Sequence, residues 1–185
     1  MDGSNGHFQP GEKVIYPQFG LGTVAEITSK SVSGTDLKFY RLEFPLNQME
    51  ILVPVKRAAE NGLRKIMTES QADEVLEFLS SPTPCERPQQ WHRWRKQAQE
   101  QLKSGDPLEV AKIFCYLVTN DNAKGLSFTE RKILSQVELM LGSELAAVKG
   151  LSTKETETML ASYRKGLKSS RQAPQDHQEI KVAMA

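Results

Sequence analysis

Tyr40-Arg41-Leu42-Glu43-Phe44-Pro45-Leu46-Asn47-Gln48-Met49-Glu50-Ile51-Leu52-Val53-Pro54-Val55 is the stretch whose reading decides the fold of the first third of the chain. Tyr40, Leu42 and Phe44 alternate with Arg41 and Glu43, the two-residue period of a strand with one buried and one wet face. Pro45 to Gln48 reads as a turn. Beyond it Met49, Ile51, Val53 and Val55 alternate with Glu50, Leu52 and Pro54, so Leu52 points away from Ile51 and Val53. Pro54 falls near the strand's end, where a missing N–H is tolerated. Working back, Ser33-Gly34-Thr35-Asp36 carries turn chemistry, and Thr23 to Val32 is a β-branched stretch before it. Gly20 and Gly22 punctuate a turn, and Glu12 to Tyr16 is a short apolar run closed by Pro17. Short strands joined by tight turns over about 50 residues predict a small, strongly bent barrel.

Working forward, the period changes after Asn61-Gly62. Val75, Leu76 and Leu79 fall at helical spacing within Gln71 to Leu79, and Ser80 to Pro88 holds Pro82, Pro84 and Pro88, the mark of a linker. A helical segment follows from Gln89 to Lys103, closed by Ser104-Gly105-Asp106. Pro107 suits the first turn of the next helix, and Leu108 to Val118 is apolar nearly all round, as the buried centre of a bundle is. Ser127 with Glu130, and Ser152 with Glu155, form two capping boxes. Leu134, Val137, Leu141, Leu145 and Val148 make one apolar stripe that ends at Gly150. Lys168 to Ala185 is polar and without period, which predicts disorder. The expected architecture is α+β: a β module over 8–66, a helix and linker over 67–88, a helical bundle over 89–166 and a tail over 167–185.

Composition narrows the function classes. The 185 residues are 38% hydrophobic and 25% charged, with a formal net charge of +1. No run of about 18 apolar residues exists, and Met1 to Pro10 lacks a basic start followed by an apolar stretch. Cys85 and Cys115 have no CxxC spacing and suggest neither a disulfide framework nor a zinc site. A cytoplasmic protein without metal or cofactor is expected. The charge is uneven: Met1 to Val55 is acidic on balance, whereas Glu86 to Lys103 sets Arg87, Arg93, Arg95, Lys96 and Lys103 against Glu86 and Glu100. An anion-seeking second half would look like this. The overall balance is nonetheless too small for strong stand-alone DNA binding, which depends on neutralising phosphates.

Catalysis has no candidate. Gly20-Leu21-Gly22 lacks the third glycine and the following helix of a phosphate loop. His7, His92 and His177 are scattered, with no spacing for metal ligation or for a nucleophile and its base. The informative segment is Trp91-His92-Arg93-Trp94-Arg95-Lys96. At 100° per residue Trp91, Trp94, Ala98 and Leu102 share one helical face, and Arg93 and Lys96 lie on the other. One reading is an amphipathic helix with both indoles in the core. The other is a ring that leaves the bundle at the first turn, flanked by phosphate-binding cations, as in a minor-groove wedge or a stacking platform.

Phe8-Gln9-Pro10-Gly11-Glu12-Lys13-Val14-Ile15-Tyr16-Pro17, Gly20-Leu21-Gly22-Thr23-Val24, Val53-Pro54-Val55 and Gly62-Leu63-Arg64-Lys65 resemble the start of the CarD family. The likeness continues through Trp91, Arg93, Lys96, Leu102, Gly105, Val110-Ala111, and Gly125-Leu126-Ser127 with Glu130-Arg131-Lys132, covering about Phe8 to Tyr163. The first third is also similar to the polymerase-interacting domain of the transcription-repair coupling factor; the helical half separates the two. The resemblance implies a Tudor-like barrel that binds the lobe of the bacterial RNA polymerase β subunit. It also implies a helical bundle that meets promoter DNA at the upstream edge of the transcription bubble and stabilises the open complex. It places the wedge on Trp91, the basic DNA face on Arg93, Lys96 and Arg131, and the polymerase contact on Lys30 and Leu52. A monomer that engages no membrane is expected. Two positions depart from the pattern: Leu52 stands where some members are basic, and so does Trp94. A stand-alone DNA-binding protein and a protein-interaction adaptor are the competing readings.

Overall fold

A computed structural model of the chain describes residues 7–32, 34–46, 48–80 and 91–169; at 91–93, 104, 122–124 and 167–169 it describes the backbone alone. The alternation over Tyr40 to Phe44 lies in a strand spanning Thr35–Phe44 (β3), in which Tyr40, Leu42 and Phe44 are buried and Arg41 and Glu43 face the other way. Around it lie Lys13–Tyr16 (β1), Gly20–Val32 (β2), Met49–Pro54 (β4) and Arg64–Lys65 (β5). Every pairing is antiparallel, and the order across the sheet is β4-β3-β2-β1-β5.

The sheet is open, which corrects the expectation of a closed barrel. β2 and β3 form a long ribbon from Thr23↔Glu43 to Val32↔Thr35, with a register shift between Val24 and Glu26 that adds bend. Closure would require β4 to meet β5. β4 stops at Pro54, which has no N–H to give, and Val55–Arg57 turns at once into a short 3-10 helix. β5 is two residues long and pairs with β1 alone. The alternation read as far as Val55 thus ends one residue earlier.

Five helices follow among the described residues: Glu69–Ser80 (α1), Trp91–Ser104 (α2), Pro107–Lys124 (α3), Phe128–Lys149 (α4) and Thr153–Ser169 (α5). Asp106 caps α3 by accepting from the N–H groups of Leu108 and Glu109, and Pro107 takes the first position. α3 continues past Val118 to Lys124, and every residue from Ile113 to Asn120 is buried, so it is the bundle's central rod. The Ser127–Glu130 box opens α4 and Gly150, in the left-handed region, closes it. Ser152 and Glu155 form the reciprocal bonds that open α5. α1 buries Ala72, Val75 and Leu79 against the same helical core. The proline-rich stretch 81–88 lies outside the described residues. α5 reaches Ser169, so Lys168 is helical where the tail was expected to begin; 170–185 lie outside the described residues.

Two cores meet at β1. Val14 faces a small core with Phe8, Val24, Tyr40, Leu42, Phe44 and Val53, while its neighbour Ile15 faces the helices. The period-two alternation of a strand thus buries β1 on both sides. The joint is reinforced by polar contacts. Glu144 on α4, fully buried, accepts from both Arg64 Nη atoms (2.5 and 2.7 Å) and from the Met67 N–H (2.5 Å). Leu21 N–H donates to Ser143 Oγ (3.1 Å), and Gln136 Nε2 donates to the Pro17 carbonyl (2.7 Å). Gly20, at φ 72°, lets the start of β2 press on α4: a Cβ there would stand 2.9 Å from Ser143 Oγ. Gly20-Leu21-Gly22, expected as a turn, is instead the start of β2, paired with Tyr16, Ile15 and Val14 of β1; the turn itself is Pro17 to Phe19.

Candidate nucleic-acid interface

α2 is held by one stripe. Ala98 and Leu102 are fully enclosed, and the half-buried Trp94 lays its indole against Tyr116 of α3, ring centres 4.3 Å apart and tilted by 46°. α2 and α3 run antiparallel: the Trp94–Tyr116 contact lies at one end, and Gln101 Nε2 donates to Glu109 Oε2 (2.7 Å) near the connecting turn. α3 and α4 are also antiparallel, and the buried Asn120 Nδ2 donates to Glu130 Oε1 (2.9 Å). Trp91 therefore opens α2 at the end of the bundle where α3 finishes and α4 begins, the end that carries Arg131. The side chains of Trp91 and Arg93 lie outside the described residues. Lys96 points to solvent, its side chain 82% exposed and only 4.0 Å from Glu100 at closest.

Arg131 is exposed on the first turns of α4, and its Nε donates to the Leu126 carbonyl (3.0 Å), which orients the guanidinium along a cleft with Asp121, Ser127 and Arg164. Next to it is a pair that the sequence reading passed over. Phe128, the first residue of α4, is 73% exposed, and Lys132 Nζ sits 4.7 Å from its ring centre. A helical wheel could have found it. Phe128 lies more than a hundred degrees from the Leu134–Val137–Leu141 stripe, whereas an aromatic serving the core would lie on it.

At the other end of the chain, Lys30 and Leu52 share the outer face of the sheet. The register places Lys30 opposite Leu37 and Leu52 opposite Arg41, with Leu37, Phe39 and Arg41 on one side of β3. Two strand spacings and four residues along β3 separate them, roughly 15 Å. Leu52 is 37% exposed, and half-buried Leu37, Phe39 and Pro54 lie between it and Lys30. Arg41 binds Glu26, Glu43 and Glu50 at 3.0 to 3.2 Å beside this apolar strip, and the hydrogen bonds to Glu50 and Glu26 raise its pKa further. β4 is the edge strand next to that face.

Among the described residues no group of His, Cys, Asp or Glu is arranged to hold a metal, and no helix is long and apolar enough to cross a membrane. The chain is an α+β protein: an open-edged sheet joined to a helical bundle whose end carries Arg131, Lys132 and the exposed Phe128. Residues 8–67 match the CarD-like/TRCF RID domain and residues 74–161 match the CarD C-terminal domain. With both of its domains present in order, the chain belongs to the CarD family. It is similar to YdeB of Bacillus subtilis (strain 168), named as a candidate transcription factor: 23% identical over 151 residues, 82% of this chain and 98% of that one. The family is one of transcription regulators that act through RNA polymerase, not of enzymes.

Proposed function

We propose that this chain docks on the β-subunit lobe of RNA polymerase through the outer face and free edge of its sheet, and braces the upstream edge of an opening promoter with the end of its helical bundle. Leu52 and Lys30 make the polymerase contact, and an added strand from the lobe along β4 is the geometry that an open edge suits. Trp91 is the wedge, with Arg93, Lys96 and Arg131 on the phosphates. The observation that carries this reading is the union of both family domains across a joint closed by the buried Glu144–Arg64 pair. Docking one half therefore positions the other.

The physics of the action follows. A net charge of +1 leaves little affinity for DNA in free solution. Attachment to polymerase raises the local concentration, so a weak DNA contact becomes effectively intramolecular. Only differential affinity shifts an equilibrium, so Trp91 must meet melted or distorted DNA better than closed duplex. A difference of about 1.4 kcal/mol favours the open complex tenfold. A wedge responds to deformability and groove shape, so no base code is read.

The test is calorimetry against the isolated β lobe. The full chain should bind, and Leu52→Glu, at a surface position, should fold normally and fail to bind. Absence of binding by the unaltered chain would reject the docking. Equal binding by the variant would reject its placement on this face.

A further inference from the structure

We propose that Phe128 is a second aromatic contact to promoter DNA: its exposed ring stacks on an unstacked base while Arg131 and Lys132 hold the adjoining phosphates. The proposal rests on the reading above for its partner, but its evidence is separate. Phe128 contributes little to the core, being 73% exposed at the first position of α4. Its neighbours on the outward face of the first two turns are Arg131, Lys132 and Ser135, and all three are exposed. No carboxylate pairs with Arg131 or Lys132 among the described residues, whereas Lys112, Lys149 and Arg164 each pair with one or two. The one acidic side chain of that first turn, Glu130, is buried and turned inward to Asn120 and the Ser127 N–H. A wet phenyl ring with a cation over it and uncompensated positive charge beside it matches a base and its phosphate chemically. An apolar protein surface would leave both cations unpaired.

Position adds the second argument. The antiparallel packing of α2 on α3 and of α3 on α4 brings the starts of α2 and α4 to one end of the bundle. Phe128 thus occupies the same end as the first turn of α2. The α4 N-terminus itself is not the anion site, because Ser127 and Glu130 already use its capping groups. Stacking on an aromatic ring tolerates any base, so this contact would add hold without adding sequence preference.

The experiment uses the full chain with polymerase holoenzyme and one promoter. A photo-crosslinking phenylalanine analogue replaces Phe128, and open-complex lifetimes are measured for Phe128→Ala and Phe128→Trp. We expect a crosslink to a DNA strand. The Ala variant should lose about fivefold or more of the lifetime gain, the low end of what one stacked base is worth. The Trp variant should keep the gain, and all three proteins should share one melting temperature. A crosslink only to a polymerase subunit would make this a protein-docking patch and overturn the proposal. So would unchanged lifetime in the Ala variant, or no crosslink at all. If the unaltered chain fails to prolong the open complex, the bracing function falls instead, and the crosslink still decides whether Phe128 touches DNA.

Discussion

Trp91 and Trp94 stand three residues apart, and the proposed function gives them different duties. The indole of Trp94 is committed to Tyr116 and the helical core. Trp94→Ala should therefore cost about 3 kcal/mol, near the lower end for truncated buried aromatics, and a thermal melt of the full chain would register it. Lys96 and Arg131 behave differently, since neither supports the core. Lys96→Ala and Arg131→Ala should leave the melting temperature unchanged and weaken the effect on open complexes in a graded way. Each should also flatten the dependence on salt, as loss of a phosphate contact does. A salt dependence identical to that of the unaltered protein would remove these residues from the DNA face.

The helices stand on caps that the sequence spells out. Ser127→Ala removes the hydroxyl that accepts from the Glu130 N–H and should cost about 1 kcal/mol; a denaturant melt with an unchanged slope would measure it. At α5 the Ser152 hydroxyl and N–H donate to Glu155 and hold its carboxyl below the ordinary value of 4.5. Its stabilising contribution is therefore present above that value and fades as pH falls through the lower folded one. Ser152→Ala should move the Glu155 titration back up, as carboxylate NMR would follow. Such elements were legible because their signals are local: alternation at Tyr40–Phe44, caps at Ser127 and Ser152, the apolar run of α3. The open sheet was not, because closure depends on whether β4 and β5 meet, and nothing in either strand's own residues encodes that distance. Phe128 was missed for a related reason. Its exposure is a property of the packed α4, and the sequence offers only its angle from the apolar stripe.

In the whole molecule, β1 serves two cores and Glu144 closes the joint between them. Glu144 is fully enclosed, and its partner Arg64 keeps only 16% side-chain exposure. Glu144→Ala would strand that guanidinium and the Met67 N–H, with an expected loss of about 3–5 kcal/mol. A single cooperative transition in the unaltered chain should split or broaden in the variant, and calorimetry would distinguish the two shapes. The same joint gives the protein its proposed action, because a docked sheet can place a DNA-contacting end only if the two parts keep a fixed relation. The central claim is that Trp91 at this end holds the promoter open. Its most direct test is the lifetime of open complexes on one promoter with Trp91→Ala, accompanied by a thermal melt of the same variant. The account predicts an unchanged melting temperature and a lifetime reduced to that of polymerase alone. A destabilised variant, or a stable one that still prolongs the open complex, would contradict it.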